Sequence, residues 1–346
     1  MERRELLILA MKIAAFLPLA ASHISLGLEP ETTELPLSEV EIGHLRRTAA
    51  TIYRAGEIDG SPFAAGYSGS FIEDSEGNIY LITVQHNIYR RPADPYTKVE
   101  DPVIYPETSW YNSPMTIYIP EGSGSTLQWQ PKPEDFASIV SPFEGRFFDD
   151  VTYARVPENY VQEVRNSFSI NPVFSGDYSD LAGQTVYYAV NDMVSSSDMG
   201  ITFDFANPRF NLLSGSLTEF RTAAEYPDVQ SGENITPTKP NGDAVVDLQN
   251  ILAGQGYYDS YSQRYYAATC QGHSGSMFYI RGGDGRFYAI GVISSAANTH
   301  LADGTPIYPT GFDEGNVSND SFRTCSPGAA LVKTLESFLL VQPLPM

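Results

Sequence analysis

The sequence predicts an all-β protein. Its composition is turn-rich and aromatic, with 28 Gly, 24 Pro and 22 Tyr against only 18% charged residues, which favours strands and tight turns over helix bundles. Short apolar and β-branched runs recur between polar turns, and a single amphipathic helical pattern stands near the end. At 346 residues the chain can form one large β domain, a pair of barrels or two modest domains, and it is long enough to bury a sizeable core.

The first residues read as an export signal. Residues 1–5 are charged, residues 6–21 are mostly apolar apart from Lys12, and Ala20-Ala21-Ser22 supplies small residues for cleavage. Met11-Lys12 makes a better signal start than Met1, and the apolar run after Lys12 is too short to span a bilayer. The expected product is secreted or periplasmic, with residues 1–22 as signal peptide and no membrane span after cleavage. Residues 23–47 are acidic and aperiodic; they read as a linker or propeptide, with Arg46-Arg47 as a dibasic processing point.

From Thr48 the pattern changes. Residues 49–53 read as a strand, and residues 66–72 and 79–84 as a hairpin around the polar turn 73–78. The second hairpin strand ends at Gln85-His86-Asn87. Residues 90–148 read as long loops around one strand at 115–119. The aromatic and β-branched segment 147–156 begins on Asp149-Asp150, and residues 157–178 read as a connector with one short amphipathic turn. Strands are expected at 183–190, 212–220, 276–280 and 287–294, with a polar loop over 225–250. Residues 329–341 carry a helical pattern, with Leu331, Leu335, Phe338 and Leu339 on one face and Pro327-Gly328 at its start.

The candidate chemistry centres on Cys270-Gln271-Gly272-His273-Ser274-Gly275-Ser276. A nucleophilic serine needs its hydroxyl on a tight turn, with backbone N–H groups beside it aimed at one spot. Flanking glycines permit such a turn. It also needs a base within hydrogen-bond reach and a carboxylate to hold that base in the right tautomer. His86 at a strand end and Asp150 at a strand start supply those types, in the chain order His86, Asp150, Ser274.

Other chemistries find less support. The net charge of −21 repels nucleic acid and anionic membrane surfaces. The 5 histidines show no paired ligand spacing, so no metal is expected. No phosphate-cradling or dinucleotide glycine motif stands between a strand and a helix, so no cofactor is expected. The only 2 cysteines, Cys270 and Cys325, either form a disulfide, which export permits, or remain buried thiols.

Taken together, the chain resembles the trypsin/chymotrypsin-like serine proteases, in a bacterial-type variant. Gly69-Ser70-Phe71-Ile72 followed by Leu81-Ile82-Thr83-Val84-Gln85-His86 is similar to that family's histidine strand, and Asp150-Val151-Thr152-Tyr153-Ala154 to its aspartate strand. Cys270 to Ser276 resembles its serine loop, and Gly291-Val292-Ile293-Ser294 the strand lining its substrate cleft. These landmarks occur in the family's order over roughly residues 50–341.

The resemblance implies two six-stranded antiparallel β-barrels with a C-terminal α-helix. The protease domain would cover 48–346, with a first barrel over about 48–178, a second over about 179–328 and the helix over about 329–341. It implies a triad of His86, Asp150 and Ser274, an oxyanion hole from the N–H groups of Gly272 and Ser274, and a Cys270–Cys325 disulfide. It also implies a cleft lined by Ala268, Thr269, Ser294 and Ser295, a polypeptide substrate and a monomeric enzyme.

Several positions depart from the family pattern. His273 replaces the acidic residue that pairs with a newly cut N-terminus in the animal digestive members, and no matching start is visible. Ser276 and Met277 replace the usual glycine and proline. Ala268 stands where trypsin-type members carry an aspartate, so a small or medium apolar side chain is expected at that subsite.

Two rival readings remain. Gly272-His273-Ser274 resembles the lipase elbow, but an α/β-hydrolase needs its acid and histidine downstream, and only His300 follows. The other rival is a protease-like binding or scaffold protein without catalysis.

Overall fold

The computed structural model describes residues 36–58, 61–88, 113–120, 124–140, 148–197, 200–221, 243–259, 264–270, 272–296, 325–327 and 329–335. Two compact units divide the chain, Met1–Ser38 and Glu39–Met346, and every element below belongs to the second. The expected signal peptide and most of the 23–47 segment lie outside the described residues. Among the described residues no helix is long and apolar enough to cross a membrane.

Helix α1 (Glu39–Arg46) opens the folded unit, with Glu39 and Glu41 in its first turn and His44 and Arg46 in its last. That order of charge complements the helix dipole. Glu41 also pairs with Arg281 at 2.6 Å.

Strands β1 (Ala49–Ile58), β2 (Ser61–Glu73), β3 (Ile79–Thr83), β4 (Thr116–Tyr118), β5 (Phe136–Val140), β6 (Phe148–Arg155) and β7 (Asn171–Pro172) form the first sheet. A helical turn, α2 (Gln85–Ile88), follows β3, and α3 (Glu158–Ser167) follows β6. The path runs β4-β1-β2-β3-β6-β5, with β7 pairing β2 in parallel. The β2–β3 hairpin turns on Asp74, whose carboxylate accepts the N–H groups of Glu76 and Asn78 at 2.9 and 2.8 Å. Ile52, Phe71, Leu81, Ile117, Trp129, Ala154 and Phe168 pack as its core.

The second half contributes β8 (Thr185–Asp192), β9 (Val194–Ser197), β10 (Gly200–Phe203), β11 (Arg209–Arg221), β12 (Asp243–Ala253), β13 (Tyr257–Asp259), β14 (Arg264–Tyr266), β15 (Ala268–Cys270), β16 (Met277–Arg281), β17 (Phe287–Ala296), β18 (Cys325–Pro327) and β19 (Ala329–Thr334). Six of them close into a barrel in the order β11-β12-β19-β17-β16-β8. Its core takes every second residue of three of these strands: Val186, Tyr188 and Val190 from β8, Ala244, Val246 and Leu248 from β12, and Ala330 and Val332 from β19. This is the period-2 burial expected of strands.

The expected architecture is corrected in two places. Among the described residues the first half is a seven-stranded sheet whose path ends on β4 and β5 without closing, so the expected paired six-stranded barrels, and with them the chymotrypsin-type fold description, do not hold. The expected C-terminal helix is also overturned where it is described. Residues 329–334 are strand β19, paired with β12 on one side and β17 on the other; the rest of 335–341 lies almost wholly outside the described residues. Without β19 the facing N–H and C=O groups of β12 and β17 would lack partners, and that demand overrides a helical pattern in the sequence.

Two shorter departures follow the same logic. Residues 243–250, expected as loop, belong to β12, and the short amphipathic turn in the 157–178 connector is the ten-residue helix α3.

The strand assignment is testable at Val332, which is fully buried inside the barrel. Val332→Asp places an unpaired carboxylate there and is expected to cost about 3 kcal/mol or more in urea unfolding. A variant as stable as wild type would break the assignment of Val332 to the barrel interior.

Candidate active site

Ser274 lies on the loop between β15 and β16 and is half-exposed. Gly272 and Gly275 flank it, both at φ +93°, the left-handed region that suits glycine. A Cβ on Gly275 would also collide with the Ser68 carbonyl and the Thr83 hydroxyl, so the loop can approach the first sheet this closely only through a glycine.

The peptide planes of the loop are pinned one by one. His273 N–H donates to Cys270 O at 3.0 Å, Ser276 N–H to His273 O at 2.9 Å, and Gly275 N–H to Ile293 O at 2.9 Å. Ile293 N–H returns to Ser276 O at 2.9 Å, tying the loop to β17. Among the described residues no backbone acceptor takes the N–H of Gly272 or of Ser274. Those are the two donors expected to stabilise an oxyanion.

The first sheet and the turn α2 grip the loop through backbone and side chains. Ser68 N–H donates to Ser274 O at 3.3 Å, and the Ser68 hydroxyl to Gly272 O at 3.2 Å. Asn87 Nδ2 donates to Ser274 O at 2.8 Å and to Thr83 Oγ1 at 3.2 Å. Thr83 passes its own proton to Ser68 O at 2.7 Å. Each donor hydrogen in this circuit, the two on Asn87 Nδ2 included, has one acceptor, so its direction is set.

The backbone brings the other expected residues to this loop. His86 lies in α2, immediately before Asn87. Asp150 lies in β6, two residues before Thr152, and Thr152 is the register partner of Thr83. The turn carrying His86 and the strand start carrying Asp150 therefore leave adjacent ladder positions. The side chains of His86 and Asp150 lie outside the described residues.

Under α2 the fully buried Arg54 reaches Ile88 O at 3.5 Å. Next to it, burial pushes the Tyr67 phenol up to about 12 although Arg54 pulls it the other way. Tyr67 thus stays neutral beneath the site.

Of the expected cleft residues, Ala268 and Thr269 are buried on β15, directly ahead of the loop. Ser294 and Ser295 follow Ile293 on β17, at a register shift against β19; their side chains lie outside the described residues. The Cys325 side chain does too, so no Cys270–Cys325 bond is found among the described side chains. The backbone places Cys270 opposite Cys325 across the β15–β18 ladder, and Cys270 is not a free thiol.

Sequence reasoning missed Ser68, Thr83 and Asn87 as parts of the site. Small polar residues at strand ends are common enough to carry no signal alone; adjacency of Asn87 to His86 was the available clue.

No protein-family model matches the sequence, and no curated protein matches it. One solved structure, titled as a crystal structure of a thermostable serine protease AL20 from an extremophilic microorganism, aligns with 86% of this chain and 97% of its own at a TM-score of 0.40 and 10% identity. That is a weak structural likeness to a serine protease, too distant to carry an argument about this chain.

Asn87 separates geometry from mere polarity. Asn87→Ala is expected to cost about 1 kcal/mol in chemical unfolding, since Ser274 O keeps the Ser68 N–H. Asn87→Asp, nearly isosteric, sets carboxylate oxygens against that carbonyl and is expected to cost more than the alanine. An aspartate as stable as wild type would break the assignment.

Proposed function

We propose that this chain is a serine endopeptidase that hydrolyses polypeptides through His86, Asp150 and Ser274. The reading rests chiefly on the convergence around the Ser274 loop. The His86 turn is tied to the Ser274 carbonyl by Asn87, the β6 segment of Asp150 is in register beside it, and the N–H groups of Gly272 and Ser274 are unspent among the described residues.

In this mechanism Ser274 Oγ attacks the scissile carbonyl carbon while His86 accepts its proton. The carbonyl oxygen becomes an oxyanion facing the N–H groups of Gly272 and Ser274, each worth about 3 kcal/mol in comparable sites. Collapse breaks the peptide bond, His86 gives its proton to the leaving amine, and an acyl-Ser274 ester remains. His86 then deprotonates a water that attacks the ester, releasing the acid and restoring the serine. Asp150 holds the imidazole in the tautomer this requires.

The substrate side chain would enter beside Ala268, Thr269, Ser294 and Ser295. The buried Ala268 offers no charge to a basic residue, which favours a small or medium apolar side chain. The expected export signal over 1–22 fits an enzyme working outside the cytoplasm.

A fluorophosphonate probe tests the nucleophile. Wild type is expected to label, Ser274→Ala and His86→Ala to lose labelling, and Asp150→Asn to hydrolyse peptides on the order of 10⁴-fold more slowly. Folded wild type that stays unlabelled would sink the endopeptidase in favour of a non-catalytic binding protein. For specificity, a peptide-library digest is expected to show cuts after small or medium apolar residues; a preference for Lys or Arg would refute the Ala268 assignment.

A further inference from the structure

His273 occupies the centre of the serine loop, yet the proposed chemistry makes no use of it. It is 1% exposed, and both ring nitrogens are engaged. Cys270 N–H donates to Nδ1 at 3.0 Å, so Nδ1 carries no proton. The ring proton of the neutral imidazole therefore sits on Nε2, which donates to the Tyr257 hydroxyl oxygen at 2.9 Å. The same oxygen takes Asn211 Nδ2 at 3.3 Å. Asn211 Oδ1 in turn accepts the N–H groups of Gln255 and Gly256 at 3.1 and 2.9 Å. The Tyr188 ring lies 6.2 Å from the imidazole and the Tyr257 ring 5.3 Å from it.

We propose that His273, as its Nε2–H tautomer, is the positioning residue of the oxyanion loop. Its two nitrogens tie the end of β15 to β13 and, through Asn211, to β11. With its backbone N–H and C=O also spent, the two peptides around it cannot turn over, and the second of them carries the Ser274 N–H. The anchors named here, Cys270, Tyr257 and Asn211, all lie in the second half of the chain. The catalytic consequence rests on the endopeptidase reading; the lock itself does not.

The lock has a pH dependence of definite sign. A proton on Nδ1 would turn an acceptor into a donor facing the Cys270 N–H, and two donors cannot bond. The anchor is present while the ring is neutral and is lost as pH falls and the ring charges. Among the described residues the titratable groups whose rings face the imidazole are Tyr188 from β8 and Tyr257 from β13, with Arg209 of β11 and Asp192 of β8 beyond Tyr257. Arg209 pairs with Asp192 at 2.9 Å and lies 5.8 Å from the Tyr257 ring centroid. Cys270 of β15 is not a free thiol.

The test uses the full chain as wild type, His273→Asn and His273→Leu. Asparagine offers an acceptor for the Cys270 N–H but does not titrate; leucine offers none. Amide exchange at Cys270 is expected to be slow in wild type and His273→Asn, and about tenfold faster in His273→Leu. In wild type the protection should fall on acidification, and in His273→Asn it should not follow pH. Fluorophosphonate labelling should slow about 10²-fold or more in His273→Leu, and His273→Asn should recover most of it.

Cys270 protection in wild type that ignores pH, or labelling in His273→Leu at the wild-type rate, overturns the proposal. The wild-type pH series needs no variant to fold. If wild type never labels, the endopeptidase reading fails, while exchange at Cys270 still decides whether His273 holds the loop.

Discussion

The carbonyl of Ser274 is the fixed point of this site. It accepts from Ser68 on β2 and from Asn87 on α2, so the β15–β16 loop is held by a strand of the open sheet and by the helical turn that follows β3. Each neutral hydrogen bond contributes only about 1 kcal/mol net, and their value here is directional. Thr83 orients Asn87 and is itself oriented by Ser68, which leaves the circuit no slack. The approach also requires Gly275, because any side chain there would meet Ser68 and Thr83. Position and composition are thus one constraint: the serine can sit beside the histidine turn only if the residue after it has no Cβ.

The loop is held from its other side by different chemistry. His273 faces into the barrel and bonds to Cys270 and Tyr257, while Ser274 and Gly272 give their carbonyls to the sheet. A short glycine-flanked segment would otherwise sample many backbone states. Clamping it from both faces removes that freedom without burying the serine, which stays half-exposed. Such preorganisation matters most for groups meant to meet a developing charge, because nothing need reorganise when the charge appears.

Much of this was legible in the sequence, for reasons that are local. The β2–β3 hairpin declared itself through a polar turn between β-branched runs, and the serine loop through its glycines. What escaped is what neighbours decide. Ala244, Val246 and Leu248 fall at every second position, yet the acidic and amide residues around them made that stretch read as loop. Residues 329–334 carry helix-compatible spacing and became a strand because two others needed a partner between them. The open first sheet was not written in any motif, since strand runs of similar length serve open and closed sheets alike. Asn87 was invisible for a related reason: its role comes from a residue far along the chain.

The place of β19 in the barrel bears on how the chain folds. It is the last described strand in chain order, yet it separates β12 from β17. Until the ribosome has released the chain through residue 334, β12 and β17 each present an unpaired edge. Those contacts span long sequence intervals, which slows folding and leaves the nascent second half open to pairing with other chains. A chaperone that binds extended apolar segments would find its opening in that interval, and a premature stop just before Ala329 would make the interval permanent.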